Sequence, residues 1–303
     1  MKLLRNFAVF GICAALLCGC TPDPDIDKGP EPTIDAKEAL LTLEEYPRMD
    51  GSTANLPLMA EVLSRTTGIT KEEAENLTSC TMTPQSWHNL AEGEADILLV
   101  YEAAEETKAA LEQTGTELEI TPIGNDALVF IVNENNPVES LTTKQIQDIY
   151  TGRITNWKEV GGEDLEIVPF QRGSTSGSQS LFMKLIMTEE DPMEAPTELS
   201  PGLMGELIDA IASYNNSANA IGYSVYYYAS YMYTQPGLKF IKVDDVMPTD
   251  ETIADESYPH INPYFVAIRA EEAEDSPARI LRDWILSDEG KEAIVAAGYI
   301  PVN

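Results

Sequence analysis

The chain has 303 residues and carries 51 acidic against 19 basic side chains, a formal charge of −32 at pH 7. Such a length allows a sizeable buried core divided over two lobes, while lysines and arginines this sparse and scattered exclude a nucleic-acid or polyanion surface. The same charge repels small anions at long range, so any anion site must act through short-range donors and one or two local cations.

The first segment is a targeting sequence. Lys2 and Arg5 form a basic start, and Phe7 to Leu17 is an apolar run too short to span a bilayer. Its end, Leu17-Cys18-Gly19-Cys20, resembles the bacterial lipobox, which implies a signal over residues 1–19 and lipidation of Cys20. Cys13 and Cys18 fall within that signal, so Cys80 alone remains and neither a disulfide framework nor a cysteine-rich metal site is available. His88 and His260 lie far apart without ligand-like spacing, so no metal or cofactor is expected. Residues 20–45 read as a tether, because Thr21 to Pro32 is rich in proline and acid.

From Tyr46 onward strand-like and helix-like stretches alternate, the pattern of an α/β fold. Asp50-Gly51-Ser52-Thr53 precedes a helix from Leu56 to Leu63, with Pro57 suited to its first turn and Gly51 to a tight turn before it. Ala95 to Tyr101 is a continuous apolar run and predicts a buried strand, followed by an acidic helix from Ala103 to Gln113. Ala127 to Asn133 predicts another strand, and Thr142 or Thr143 caps a helix ending at Tyr150. Further along, Leu165 to Phe170 and Ala220 to Val225 read as strands and Pro277 to Leu286 as a helix.

The most informative stretch is Arg172-Gly173-Ser174-Thr175-Ser176-Gly177-Ser178, which sets one arginine before a hydroxyl- and glycine-rich turn leading into an apolar helical pattern. A helix start presents unpaired N–H groups, so this is an anion cradle, and the Ser52–Thr53 helix start is a second candidate that could meet it across a cleft. Arg172 supplies charge-assisted, bidentate-capable donors, Ser176 and Ser178 supply hydroxyls, and Gly177 permits close backbone approach. The segment lacks the G-x-S-x-G nucleophile elbow, since Thr175 is at its centre, and no histidine is near to act as base. An extracellular phosphoesterase is therefore the lesser alternative, and the chain is expected not to be an enzyme.

Leu141 to Gly162, with Thr151-Gly152-Arg153-Ile154-Thr155-Asn156-Trp157 inside it, resembles a segment of the phosphate-binding solute receptors of ABC importers. The resemblance continues through Ile221-Gly222-Tyr223, Trp284 to Gly290 and Gly298-Tyr299-Ile300-Pro301. It implies a class II periplasmic-binding-protein architecture of two α/β lobes joined by two crossing strands, expected near Val129–Asn133 and Pro263–Ile268. Lobe 1 would comprise residues 46–130 and 266–303, and lobe 2 residues 131–265. Carried over residue by residue, the ligand set is Ser52, Thr53, the N–H of Ala54, Arg172, Ser176, Gly177 and Ser178.

The resemblance also implies an aspartate at the end of the Ala95–Tyr101 strand, where it would accept the proton that phosphate keeps and sulfate lacks. Here that position reads Tyr101, which leaves Tyr101, the adjacent Glu102 or Asp50 as the acceptor. The implied function is a monomeric, lipid-anchored extracytoplasmic receptor on the bacterial cell membrane that captures inorganic phosphate for an ABC permease. A sulfate-like oxyanion as ligand, or a surface sensor without transport, are the alternatives.

Overall fold

The computed structural model describes residues 39–174, 176–195, 201–213 and 217–302. The signal segment, Cys20 and the first part of the tether lie outside the described residues. The chain first builds β1 (Met49–Gly51), α1 (Leu56–Thr67), α2 (Lys71–Leu77), α3 (Thr83–Glu92), β2 (Ile97–Tyr101) and α4 (Glu105–Thr114). β3 (Leu118–Asn133) leads into β4 (Ser140–Leu141), α5 (Thr143–Tyr150), β5 (Val168–Pro169), α6 (Gly177–Leu185), α7 (Met204–Ser213) and β6 (Ala220–Val225). After β7 (Leu238–Phe240), β8 (Lys242–Val243) and α8 (Asp250–Ala254), the chain returns through β9 (Ile261–Arg269), α9 (Pro277–Leu286), α10 (Asp288–Ala296) and β10 (Ile300–Pro301).

β3 serves both halves of the structure. Its residues Leu118 to Ala127 pair antiparallel with β9, and Leu128 to Val132 pair antiparallel with β6. On the first half, β9 continues to β2 and β2 to the parallel β1, while β10 pairs near Gly124 and Asn125. On the second half, β6 carries the parallel β5, and β7 joins the end of β3. This is the expected two-lobed α/β architecture. The partner on β3 changes between Ala127 and Leu128, and the return passes His260, whose carbonyl accepts the Leu128 N–H at 2.9 Å. Both changeovers lie a few residues before the segments expected to cross.

The elements follow local chemistry. β2 is buried at all five residues and the last eight of β3 are buried, so helices cover both faces and the apolar runs are continuous. The first half of β3 was not expected as strand, because it is only partly buried and contains Pro122 and Gly124. The register shifts between those two residues, as a residue lacking an N–H demands. Strand Leu165–Phe170 is shorter than expected. Only Val168–Pro169 joins the sheet, while Leu165 and Ile167 bond to the turn at Thr155 and Trp157. Thr142 is the cap of α5, in a reciprocal box with Gln145.

Trp157 is buried and donates Nε1–H to the Asn219 carbonyl at 3.0 Å, and Gly152 takes φ 76°, so this family-marking stretch is structural. Tyr223 stacks on Phe182 with ring centroids 4.5 Å apart. Tyr150 and Phe130 close around that pair and form the packed floor of the second lobe.

Gly51 has a different role from the tight turn expected of it. A Cβ there would lie 1.9 Å from the Leu99 carbonyl oxygen, so glycine is required for β1 to approach β2. Gly51→Ala is expected to push the strands apart and cost about 1–3 kcal/mol, measured by urea unfolding. The wild-type midpoint in that variant would show that β1 does not depend on this contact.

Candidate functional site

A cavity of about 270 Å³ opens between the lobes. Ser52, Thr53, Ala54 and Tyr101 line it from the first lobe, and Arg172, Ser176, Gly177 and Ser178 from the second. The structure thus brings together every residue expected to hold the ligand, apart from Glu102 and Asp50, two of the three candidate acceptors.

On the first lobe, Ser52 leaves β1 and leads through a single 3₁₀ turn, Thr53–Asn55, into α1. By helix geometry the N–H groups of Thr53 and Ala54 have no intrahelical acceptor. Ser52 Oγ accepts the Tyr101 N–H at 3.0 Å and lies 2.7 Å from Thr83 Oγ1. One of those two hydroxyls donates to the other, so the proton of the remaining one is available to the cavity.

On the second lobe, Ser176 caps α6 by accepting the Gln179 N–H at 3.1 Å, a bond that does not use its own proton. The N–H groups of Gly177 and Ser178 are first-turn orphans. Ser178 is buried and its Oγ has no partner. Arg172 is also buried; its Nε donates to the Pro201 carbonyl at 3.0 Å and its Nη2 to the Gly202 carbonyl at 2.7 Å. Nη1 is buried without a partner, and no carboxylate pairs with this guanidinium among the described residues. Burial lowers the Arg172 pKa, partly offset by Tyr223 and Glu206, yet an arginine remains charged in any ordinary solvent. A side-on bond through Nε is already taken, which leaves the Nη1–Nη2 end for an oxyanion.

The three candidate acceptors separate cleanly. Asp50 is filled by the N–H groups of Gly51 and Thr81, the Thr81 hydroxyl and the Asn89 amide, all within 2.9 Å, and it does not line the cavity. Glu102 lines a neighbouring cavity and is bound by Lys108 and, across the cleft, Lys184. Burial pushes the Glu102 carboxyl up, but those two ammonium groups outweigh it and hold it below the usual range. Tyr101 alone lines the Arg172 cavity. Its hydroxyl donates to Asp126 Oδ2 at 2.6 Å, which leaves the phenol oxygen with acceptor capacity only.

Several lining residues escaped the sequence. Met82, Thr83 and Pro84 bring the start of α3 to the cavity, and Gly202, Leu203 and Met204 bring the start of α7. Four helix N-termini, those of α1, α3, α6 and α7, therefore converge here, each contributing partial positive charge. Pro84 after a threonine was a legible helix start. Nothing in the sequence, however, tied it to Ser52. Met82 takes φ 70° and ψ 161°, a conformation that costs a non-glycine residue on the order of 1–3 kcal/mol. No histidine lines the cavity: His88 lies on the neighbouring one and His260 bonds to Thr143 Oγ1.

A family model described as the PBP superfamily domain matches residues 41–289, and the chain belongs to that superfamily. It is similar to the phosphate-binding protein PstS of Borreliella burgdorferi, 28% identical over 202 residues that make up 65% of this chain and 70% of the relative. The PstS of Bacillus subtilis is 30% identical over 173 residues, 57% of this chain and 54% of the relative, so that match spans about half of the relative's length. Among solved structures, a protein described as a phosphate ABC transporter substrate-binding protein from Clostridium perfringens, with bound phosphate, is 29% identical. It aligns with a TM-score of 0.63 over 85% of this chain and 100% of that one. An ABC-type phosphate transport receptor from Vibrio cholerae is 25% identical with a TM-score of 0.62, covering 84% of this chain and 99% of that one.

Asp126 stands behind the cavity at the changeover of β3, where it accepts the Tyr101 hydroxyl and the N–H groups of Ala127 and Tyr227. Burial pushes its carboxyl up to about 6, against the pull of those hydrogen bonds toward the ionised form. A carboxyl whose folded pKa exceeds its unfolded value favours the fold most at low pH and loses that contribution as pH rises through the folded pKa. Relative to Asp126→Asn, the wild type should therefore gain about 2 kcal/mol of stability between about pH 7.5 and about pH 4.5, by denaturant unfolding. A constant difference over that window would show that Asp126 titrates as an ordinary carboxyl.

Proposed function

We propose that this superfamily member is a lipid-anchored extracytoplasmic receptor that captures a tetrahedral oxyanion, inorganic phosphate foremost, and delivers it to an ABC permease. The observation that carries it is the buried guanidinium of Arg172, unmatched by a carboxylate among the described residues, on a cavity with an unmatched Ser178 hydroxyl and four helix N-termini. A buried charge without a counter-ion and a buried donor without an acceptor cost several kcal/mol in an empty site, and an oxyanion relieves both at once. The names of the relatives support phosphate as that anion, and Leu17-Cys18-Gly19-Cys20 supports the anchor. The lobe boundaries would lie within a few residues of the two changeovers.

In this function Ser52, Thr53, the N–H of Ala54, Arg172, Ser176, Gly177 and Ser178 donate, and Tyr101 accepts. With its own proton given to Asp126, the Tyr101 oxygen suits a ligand that retains a proton and does nothing for sulfate. No bond is made or broken. Tight binding comes from short donors in a site where water is displaced as the lobes close.

Calorimetry of the ligand-stripped protein is expected to show phosphate binding well below millimolar concentration and weaker sulfate binding. Arg172→Met should weaken phosphate at least about 100-fold and Ser178→Ala about 10-fold, the weight of a charged and a neutral buried donor. Tyr101→Phe should narrow the gap between phosphate and sulfate. A folded, stripped protein that ignores phosphate at millimolar concentration would refute inorganic phosphate as the ligand. Cys20→Ser should release the protein from the membrane fraction, and retention there would refute the anchor.

A further inference from the structure

Beside the Arg172 cavity lies a second cavity of about 530 Å³, and the two share Pro84 and Leu181 as walls. Its lining includes Ala103, Ala104 and Ala110 from the first lobe and Met183 from the second. Glu102, Glu105 and Glu106 line it too; Lys108 pairs with Glu102 and Glu105, and Lys184 with Glu102. With both lysines engaged, the wall holds no spare cation for a second anionic group, while the alanines, Leu181 and Met183 offer an apolar surface.

The first cavity is itself larger and less polar than a bare oxyanion requires. Its 270 Å³ has room for well over ten water-sized groups, at roughly 10–15 Å³ each. Met82, Leu203, Met204 and Val225 line it beside the donors. A tetrahedral oxyanion presents an oxygen at every corner and gains nothing from an apolar wall. A ligand with a polar head and an apolar part uses both surfaces.

We propose that the site takes oxyanions bearing an uncharged organic substituent, phosphate monoesters or phosphonates, with the head at Arg172 and Ser178. The substituent passes between Pro84 and Leu181 into the second cavity. This inference rests on the anion-receptor function proposed above and deepens it to a ligand class: inorganic phosphate is the head group alone, and substituted phosphates are the better ligands. Each methylene buried along that path strengthens binding roughly fourfold.

Calorimetry on the full, ligand-stripped chain tests it with inorganic phosphate and with methyl, ethyl, propyl and butyl phosphate. Affinity is expected to rise along the series, with butyl phosphate at least tenfold tighter than inorganic phosphate. Ala110→Trp and Met183→Trp, which fill the second cavity from opposite lobes, should abolish that rise and leave inorganic phosphate within about twofold, which also shows that they fold. Phosphate binding with affinity that is flat or falls along the series would overturn the inference while the receptor function stands. So would a rise that both tryptophan variants leave intact. Binding of neither phosphate nor any ester would defeat the receptor function and this inference together, whereas ester binding without phosphate binding would support the inference and correct the ligand.

Discussion

A guanidinium buried without a carboxylate partner among the described residues is the constraint around which the cavity is arranged. Arg172 is held by two backbone carbonyls, which orient it without neutralising it. A carboxylate partner would have been easy to supply in a chain with 51 acidic residues, and it would have made the fold indifferent to ligand. Leaving the charge unmatched stores an unfavourable term that only an anion removes. The surrounding donors, backbone and hydroxyl alike, then reinforce a preference the arginine already sets.

Closure depends on the same constraint. A Cβ on Gly177 would lie 3.1 Å from Thr83 Oγ1, so the starts of α6 and α3 meet closely across the cleft and a side chain there would crowd Thr83. Lys184 also pairs with Glu102 across the cleft near the site, and that lysine is half exposed. Exposed ion pairs contribute at most about 1 kcal/mol. Such a tie biases the lobes but does not lock them. A ligand bonded to both lobes, as proposed, would be the stronger clasp. The path between lobes runs along β3, and Asp126 occupies its changeover, bonded to Tyr101 on one side and the Tyr227 backbone on the other. The hinge and the cavity wall therefore share one hydrogen-bond network.

Much of this was legible in the sequence because it is local. Ala220 to Val225 and Pro277 to Leu286 became β6 and α9 without adjustment, since a continuous apolar run and a proline-led amphipathic run each have one stable outcome. The cradle at Arg172 was legible for the same reason: a hydroxyl-glycine turn before a helix carries its own chemistry. Thr83 and the start of α7 were not, because their roles exist only where a distant strand places Ser52 and Arg172 beside them. Leu118 to Asp126 was missed as strand because Pro122 and Gly124 argue locally for a turn, and only pairing with β9 overrides them. Asp126 left no local signal at all. Its importance comes from Tyr101, which is 25 residues away in sequence.

The acidity of the chain and the anion site are reconciled by distance. Charges outside the cleft act through water and salt, which screen them beyond roughly 8–10 Å. Inside, acidic groups near the cavity are answered: Glu102 by two lysines, Asp50 by four donors, Asp126 by three, while Glu206 accepts the Leu203 N–H. The cavity thus sees a cation and helix N-termini at a few ångströms and little of the net charge. Those local matches also explain why so few basic residues suffice. Most lysines and arginines near the cleft serve acidic neighbours, and one arginine, without a carboxylate ion pair among the described residues, is enough to define the site.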